Sequence, residues 1–212
     1  MGKLAATLCL AIAVLLGSNA HAESYLSVNI GPAMLSDSDT TSTANNGTGR
    51  VTGDSSFDNG FDINGALGTS LGAIRLEGEI AYRKNDWDTF AATTGTLDIT
   101  GSFTSLSFMA NGWYDFDIDP DWVPFLGGGV GMSLMNMEIT SSNGTPSSYD
   151  ESDTVFAYQV GAGLGYKVSP KITISLSYRV FGTSEVEFVD PTDTDTYDYR
   201  NHSVLLGVRH NF

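Results

Sequence analysis

Apolar and polar residues alternate with a period of two along much of the chain after residue 23. In 74–83, one set of alternate positions holds isoleucine, leucine, glycine and tyrosine, and the other holds arginine, glutamate and alanine. A similar division recurs in 158–168, 172–181 and 203–209. Successive side chains of a β-strand point to opposite faces. The pattern therefore predicts strands with one apolar face and one polar face.

Eight such strands are predicted, at 24–35, 58–71, 73–85, 97–117, 123–137, 154–168, 171–182 and 199–212. Tight connections at 71–72, 117–122 and 169–171 alternate strictly with long acidic connections at 36–57, 86–96, 138–153 and 183–198. Short periplasmic turns and long external loops are typical of a transmembrane barrel. The sequence therefore predicts an all-β fold, an eight-stranded antiparallel up-and-down transmembrane β-barrel with both termini in the periplasm.

Residues 1–22 have the layout of a secretory signal peptide. Lys3 supplies the positive start, 4–16 form the apolar segment, and Ala20 and Ala22 mark the expected cleavage site. The apolar segment is shorter than the roughly 20 residues that a spanning helix needs. We therefore expect a cleaved signal peptide at 1–22 and an outer-membrane β-barrel domain at 23–212. Because Cys9 lies in the signal, the mature chain should carry no disulfide or thiolate site.

The chain is acidic, with a formal net charge of −15. Removal of Lys3 with the signal leaves nine basic residues against 25 acidic ones. Phosphate backbones need a basic surface, so a nucleic-acid partner is disfavoured. The glycine content, 24 residues, suits a fold with many turns and strands.

The polar strand faces predict what fills the barrel. An eight-stranded barrel is barely wide enough for its own side chains, so inward charges of opposite sign should pair. Inward glycines between 127 and 165 would leave room for long side chains. A packed, plugged lumen is favoured, and a narrow gated ion path through the same pairs is the alternative. The predicted lumen charge network comprises Asp62, Arg75, Glu77, Glu79, Arg83, Lys167, Arg179 and Arg209.

Aromatic residues lie near many predicted strand ends, where a membrane protein meets the lipid headgroups. We expect them to form interfacial girdles. The set is Tyr82, Trp87, Tyr114, Trp122, Tyr166, Tyr178 and Tyr199.

Patterns for metal, cofactor or catalytic chemistry are weak. His202 and His210 lie roughly 26 Å apart on one predicted strand at 3.3 Å per residue, too far to share a metal ion. His202 and Ser203 are adjacent, so they should point to opposite faces and cannot act as base and nucleophile. The glycines of 161–165 fall in mid-strand and lack the nucleotide-binding spacing. The sequence predicts no cofactor, no metal site and no enzyme.

Several segments carry a resemblance to a known family. They are 124–131 (PFLGGGVG), 158–163 (YQVGAG), 178–179 (YR) and 201–207 (NHSVLLG). With the signal, the strand pattern and Phe212, the chain resembles the OmpA/Opa-like eight-stranded outer membrane β-barrel superfamily, including its opacity-type surface antigens. The resemblance implies an outer-membrane location in contact with lipopolysaccharide. It also implies that Phe212 is part of the assembly signal read by the barrel-assembly machinery.

Three functions remain open from the sequence. The favoured one is a surface-exposed structural and interaction scaffold, monomeric, with a plugged lumen and acidic loops that meet an extracellular ligand. The alternative is a small porin-like channel, with the acidic loops favouring cations at its mouth. A lipid A-modifying enzyme ranks third.

Overall fold

The computed structural model describes residues 23–35, 38–44, 50–57, 60–92, 95–97, 100–140, 151–184, 186–189, 193–197 and 199–212. Eight of its strands, numbered in chain order with the others, form a barrel. They are β1 (Glu23–Leu35), β4 (Gly60–Leu71), β5 (Ile74–Ala92), β7 (Thr100–Asp115), β8 (Trp122–Thr140), β9 (Glu151–Ser169), β10 (Ile172–Thr183) and β13 (Arg200–Asn211). The predicted eight-stranded antiparallel barrel is confirmed.

The barrel closes by pairing its first strand with its last. Each barrel strand is antiparallel to both neighbours in the order β1, β4, β5, β7, β8, β9, β10, β13. β13 then pairs with β1, with Val28 opposite Val208. Closure satisfies the backbone hydrogen bonds without water, which the hydrocarbon core of a bilayer requires.

The alternation seen in the sequence becomes an inside-out distribution of side chains. On β1, Val28 and Ile30 point outward and are 49% and 53% exposed, while Ser27 and Asn29 are buried in the interior. The large apolar residues of the other barrel strands are exposed in the same way. This arrangement suits lipid outside and a polar interior.

Three short connections, the start of β1 and the end of β13 lie at one end of the barrel, here called the turn end. Gly72 and Ala73 join β4 to β5, and Gly72 has a φ of 66°, a conformation that favours glycine. Residues 116–121 join β7 to β8, and 170–171 join β9 to β10. The backbone N–H of Phe212 donates to the carbonyl of Ser24, so the start of β1 and the end of β13 meet here. The opposite end is called the loop end.

The long connections at the loop end contain strands where the sequence predicts loops. They are β2 (Ser38–Ala44), β3 (Arg50–Phe57), β6 (Gly95–Leu97), β11 (Val186–Val189) and β12 (Asp193–Tyr197). β11, β12, β2 and β3 pair in that order, and β3 also pairs with the end of β5. β5 itself runs to Ala92, beyond its predicted end at 85, and so offers a backbone edge on which these segments pair.

The expected signal peptide at 1–22, with Ala20 and Ala22, lies outside the described residues. Nowhere in the part of the chain that is described does a helix have the length and hydropathy to cross a membrane.

Candidate functional site in the barrel lumen

The inward face of β5 supplies much of the charge in the lumen. Arg75, Glu77, Glu79 and Arg83 occupy alternate positions on this strand, and all four are buried. They share a face because the strand repeats every two residues. Buried charges require partners, so their hydrogen bonds define the interior.

Arg83 and Asp62 form a fully buried ion pair. Nε of Arg83 lies 2.9 Å from Oδ2 of Asp62, and both side chains have no exposed surface. Ser203 donates to the same carboxylate oxygen over 3.0 Å. The guanidinium also lies over the ring of Phe181, 4.0 Å from its centroid. β4, β5, β10 and β13 are thereby linked across the interior.

Arg179 and Glu79 form a second buried pair. Nη1 of Arg179 lies 2.5 Å from Oε2 of Glu79, and the two residues are 100 positions apart in sequence. The amide of Gln159 donates to Glu79 over 3.0 Å and to Asn111 over 2.8 Å. The guanidinium of Arg179 lies 5.0 Å from the ring centroid of Trp113. This pair joins β10 to β5 across the lumen.

Glu77 is held differently, by neutral donors. The Tyr25 hydroxyl donates to Oε2 over 2.8 Å. The Trp113 indole and the Asn111 amide donate to Oε1 over 2.7 Å and 3.1 Å. Hydrogen bonds from neutral groups can stabilise a buried carboxylate, provided that several converge on it.

At the turn end two arginines share one carboxylate, that of Asp115. Arg75 binds it with two nitrogens, with Nη2 2.8 Å from Oδ1. Nη1 of Arg209 lies 3.4 Å from Oδ2. Sequence reasoning missed Asp115, although it is in phase with Asn111 and Trp113 on the inward face of β7. That phase was the signal that could have found it.

The described charges inside the barrel balance in sign. The acidic residues are Asp62, Glu77, Glu79 and Asp115, and the basic ones are Arg75, Arg83, Arg179 and Arg209. A strongly acidic chain therefore encloses an interior with equal numbers of opposite charges, as a packed low-dielectric space requires.

Two sequence expectations about inward and outward positions need correction. Lys167 was placed in the lumen network, but its side chain is exposed near the end of β9, where the strand has passed the turn-end rim. Tyr199 was placed in an outer girdle, but it is buried and its ring lies 5.9 Å from that of Phe181. Of the other girdle candidates, the side chain of Trp87 lies outside the described part. The exposed ones are Tyr82, Tyr114, Trp122, Tyr166 and Tyr178.

The two ends of the lumen differ in chemistry. Toward the loop end, a mainly apolar cluster crosses the interior and consists of Met109, Met135, Val155, Ala157, Phe181 and Tyr199. Toward the turn end there is a small cavity with about 30 Å³ of accessible space. The interior is therefore mainly apolar toward the loop end, and it is polar with a cavity toward the turn end.

Three further candidate residues, His202, Ser203 and Phe212, lie near the two ends of β13. His202 and Ser203 point to opposite faces: the ring of His202 bonds the Tyr178 hydroxyl outside, and Ser203 bonds Asp62 inside. Phe212 is 65% exposed at the turn end, and its ring lies 5.3 Å from that of His210.

Comparisons with known proteins agree with this architecture. The sequence model of the outer membrane protein beta-barrel domain family matches residues 4–212. The outer membrane protein PagN of Salmonella typhimurium is 28% identical over 93 residues, which cover 42% of this chain and 39% of that protein. The opacity protein opA50 of Neisseria gonorrhoeae is 26% identical over 136 residues, which cover 53% of this chain and 54% of that protein. The matches thus span about half or less of these curated relatives.

Among solved structures, Neisserial surface protein A matches with a TM-score of 0.53 and 18% identity. The match covers 89% of this chain and 97% of that one. At this identity the likeness concerns the fold.

Proposed function

Because this chain belongs to the outer membrane protein beta-barrel domain family and lies in the outer membrane, we propose that it is a surface-exposed scaffold whose loops contact extracellular ligands. The barrel holds the loop segments at the cell surface, and its lumen is closed to ions. The chain acts as a monomer without catalytic activity, and Phe212 serves as part of its assembly signal.

One observation carries the proposal: ion pairs and hydrogen bonds connect opposite walls of the barrel. Arg179 of β10 and Gln159 of β9 both reach Glu79 of β5 from the other side of the lumen. The apolar cluster at the loop end lies above these contacts. A conducting path would have to break several of these contacts at once. Each contact is strong because the barrel interior has a low dielectric constant and little water to screen the charges.

The loops supply the recognition surface in this proposal. Residues 183–198 contain six acidic residues and no basic one. Loops on a rigid scaffold commonly carry recognition because they tolerate changes that the scaffold does not. The charge favours a ligand with a positively charged surface.

The first test is the conductance of the refolded protein, residues 23–212, in a planar bilayer. We expect no stable current steps from samples in which folding is verified independently. Stable cation-selective steps that change with Glu77→Gln would contradict the plugged scaffold and establish the second candidate, a narrow channel. The hollow turn end is the observation that favours that second candidate.

The second test addresses the loops. Cells carrying the protein are compared with cells carrying a variant in which 36–57, 86–96, 138–153 and 183–198 are replaced by short Gly/Ser turns. We expect adherence to cultured host-type cells to be lost while the barrel still folds. A matched control replaces the lipid-facing Val130 and Val160 with Leu and should adhere normally. Unchanged adherence of the loop-replaced variant would refute the loop role.

A further inference from the structure

The cavity at the turn end has a wall rich in arginine. Arg75, Arg179 and Arg209 line it, and Glu77 is the acidic residue among its lining side chains. The carboxylate of Glu77 already accepts hydrogen bonds from Tyr25, Trp113 and Asn111. The space is therefore lined by three arginines and by one glutamate whose carboxylate oxygens already accept hydrogen bonds.

Two of these arginines have buried donors that the described residues leave unbonded. Nε of Arg179 and Nε of Arg209 have no hydrogen-bond partner within the described structure. The side chain of Arg179 is 6% exposed, and its ion pair uses Nη1. Arg209 contacts Asp115 over 3.4 Å, on a carboxylate that Arg75 already binds with two nitrogens. A buried donor without an acceptor is destabilising, so the site gains from an occupant that accepts hydrogen bonds.

The cavity opens toward the periplasm. Its lining residues Val123, Thr173 and Arg209 lie within three positions of the turn-end limits of their strands. The side chains of Arg209 and Asp115 keep 14% and 17% of their exposure, while Arg83 and Asp62, toward the loop end, keep none. A small solute can therefore reach the arginines from the turn end, and the apolar cluster blocks the other route.

We propose that this turn-end cavity is a binding site for a small oxyanion, a carboxylate or an inorganic phosphate, taken from the periplasmic side. The planar guanidinium fork matches both groups geometrically. Arg209 is the principal ligand, since its present bond to Asp115 is the longest of the lumen ion pairs. Thr173 and Ser175 add hydroxyl groups to the wall. This inference does not depend on the proposed role of the loops or on whether the barrel conducts ions, because the cavity could hold the anion in either case.

Trp113 provides the reporter, because it lines the cavity and bonds Glu77. The chain has three tryptophans. Substituting Trp87→Phe and Trp122→Phe leaves Trp113 as the sole source of tryptophan emission. The refolded protein is titrated with inorganic phosphate and, separately, with acetate at constant ionic strength. We expect a saturable emission change with at least one of them, and the two titrations identify the preferred oxyanion.

Variants of Arg209 test the assignment. Arg209→Gln should weaken binding about tenfold or more, the effect expected for losing a charge-assisted bond. Arg209→Lys, which keeps the charge but loses the fork, should weaken it less. Arg200→Gln is the matched control, since Arg200 lies at the loop end of the same strand and is exposed. No saturable change in the parent, or equal affinity in Arg209→Gln, would overturn the proposal. The parent titration remains decisive even if an Arg209 variant fails to fold.

Discussion

At the scale of single residues, the buried charges of the lumen are stabilised by different sets of hydrogen-bond partners. Glu77 is held by a phenol, an indole and an amide. Glu79 is held by an arginine and an amide. Both are buried carboxylates on the same strand. The cost of burying either one is offset by hydrogen bonds from side chains of other strands.

The Arg83–Asp62 pair gives the sharpest stability prediction. Asp62→Asn leaves the guanidinium of Arg83 buried without a counter-charge, which should lower the free energy of unfolding by about 3–5 kcal/mol. The double variant Asp62→Asn with Arg83→Met should recover much of that loss. Urea unfolding in lipid vesicles measures both, with exposed Asp117→Asn as control. Equal stability of the single variant and the parent would show that the pair contributes nothing.

A second residue-scale prediction concerns pH at the turn of 116–121. The backbone N–H groups of Asp121 and Trp122 donate to Oδ1 of Asp119 over 2.9 Å and 3.1 Å. These bonds, aided by the charge of Lys167, hold the pKa of the Asp119 carboxyl below its usual value. Because the pKa of this carboxyl is lower in the folded state than in the unfolded state, its ionisation stabilises the fold. This contribution is complete above the unfolded-state pKa of about 3.9 and is lost as pH falls through the folded-state pKa.

We therefore expect Asp119→Ala to destabilise the protein modestly at pH 7 and to differ less from the parent near pH 2. Unfolding curves at the two values provide the measurement. Asp117→Ala, an exposed carboxylate in the same turn, should show a smaller difference at pH 7. A gap between Asp119→Ala and the parent that stays constant with pH would contradict this role.

At the scale of elements, β8 is a strand whose glycines are closely approached by atoms of the neighbouring strands. Its glycines let neighbouring inward side chains pack close to the backbone. A Cβ added at Gly129 would overlap Oδ1 of Asn111 and the carbonyl of Ala110. Asn111 connects Glu77 to Gln159, so the space at Gly129 is part of what holds the network together.

Gly129→Ala should therefore destabilise the barrel by about 1–3 kcal/mol, the usual cost of overpacking a filled interior. Gly65→Ala on β4 is the matched control, because the nearest heavy atom to its added Cβ is 3.8 Å away. The control should fall within about 0.5 kcal/mol of the parent. Unfolding in vesicles compares the two, and equal effects would mean that the close approach at Gly129 has no energetic consequence.

At the scale of the whole molecule, closure between β1 and β13 joins two ends of the chain that lie far apart in sequence. Val28 is paired with Val208 in this register, and both side chains face outward. Cysteines on directly paired strand positions fall within disulfide range, whereas diagonal positions, about 7–8 Å apart, do not.

A disulfide should form in refolded residues 23–212 carrying Val28→Cys and Val208→Cys. It should not form with Val28→Cys and Leu206→Cys, the diagonal pair. Thiol labelling after oxidation in lipid vesicles counts the free cysteines, and the refolded segment 23–212 does not include Cys9. Free thiols in the first pair, or a bond in the second, would show a register different from the one described.

Much of this protein is determined by the sequence because a β-strand repeats every two residues. That period sends Arg75, Glu77 and Glu79 inward without knowledge of their neighbours, and it leaves Val28 and Ile30 for the lipid. The alternation of short turns with long connections then indicated the direction in which the barrel crosses the membrane. These local features were enough to predict the number of strands, the closure of the barrel, and which face of each strand is polar.

The partners inside the lumen were decided by the tertiary structure. Arg179 meets Glu79 across the barrel, and Arg209 shares Asp115 with Arg75, because strand tilt and register fix which inward side chains reach the same height. Lys167 differs from its expected position for the same reason, since a strand's phase gives a side but not its depth along the barrel axis. Tyr199 differs because it shares the inward phase of Asn201 and Ser203. The cavity arises where the heights of these side chains leave space at the turn end.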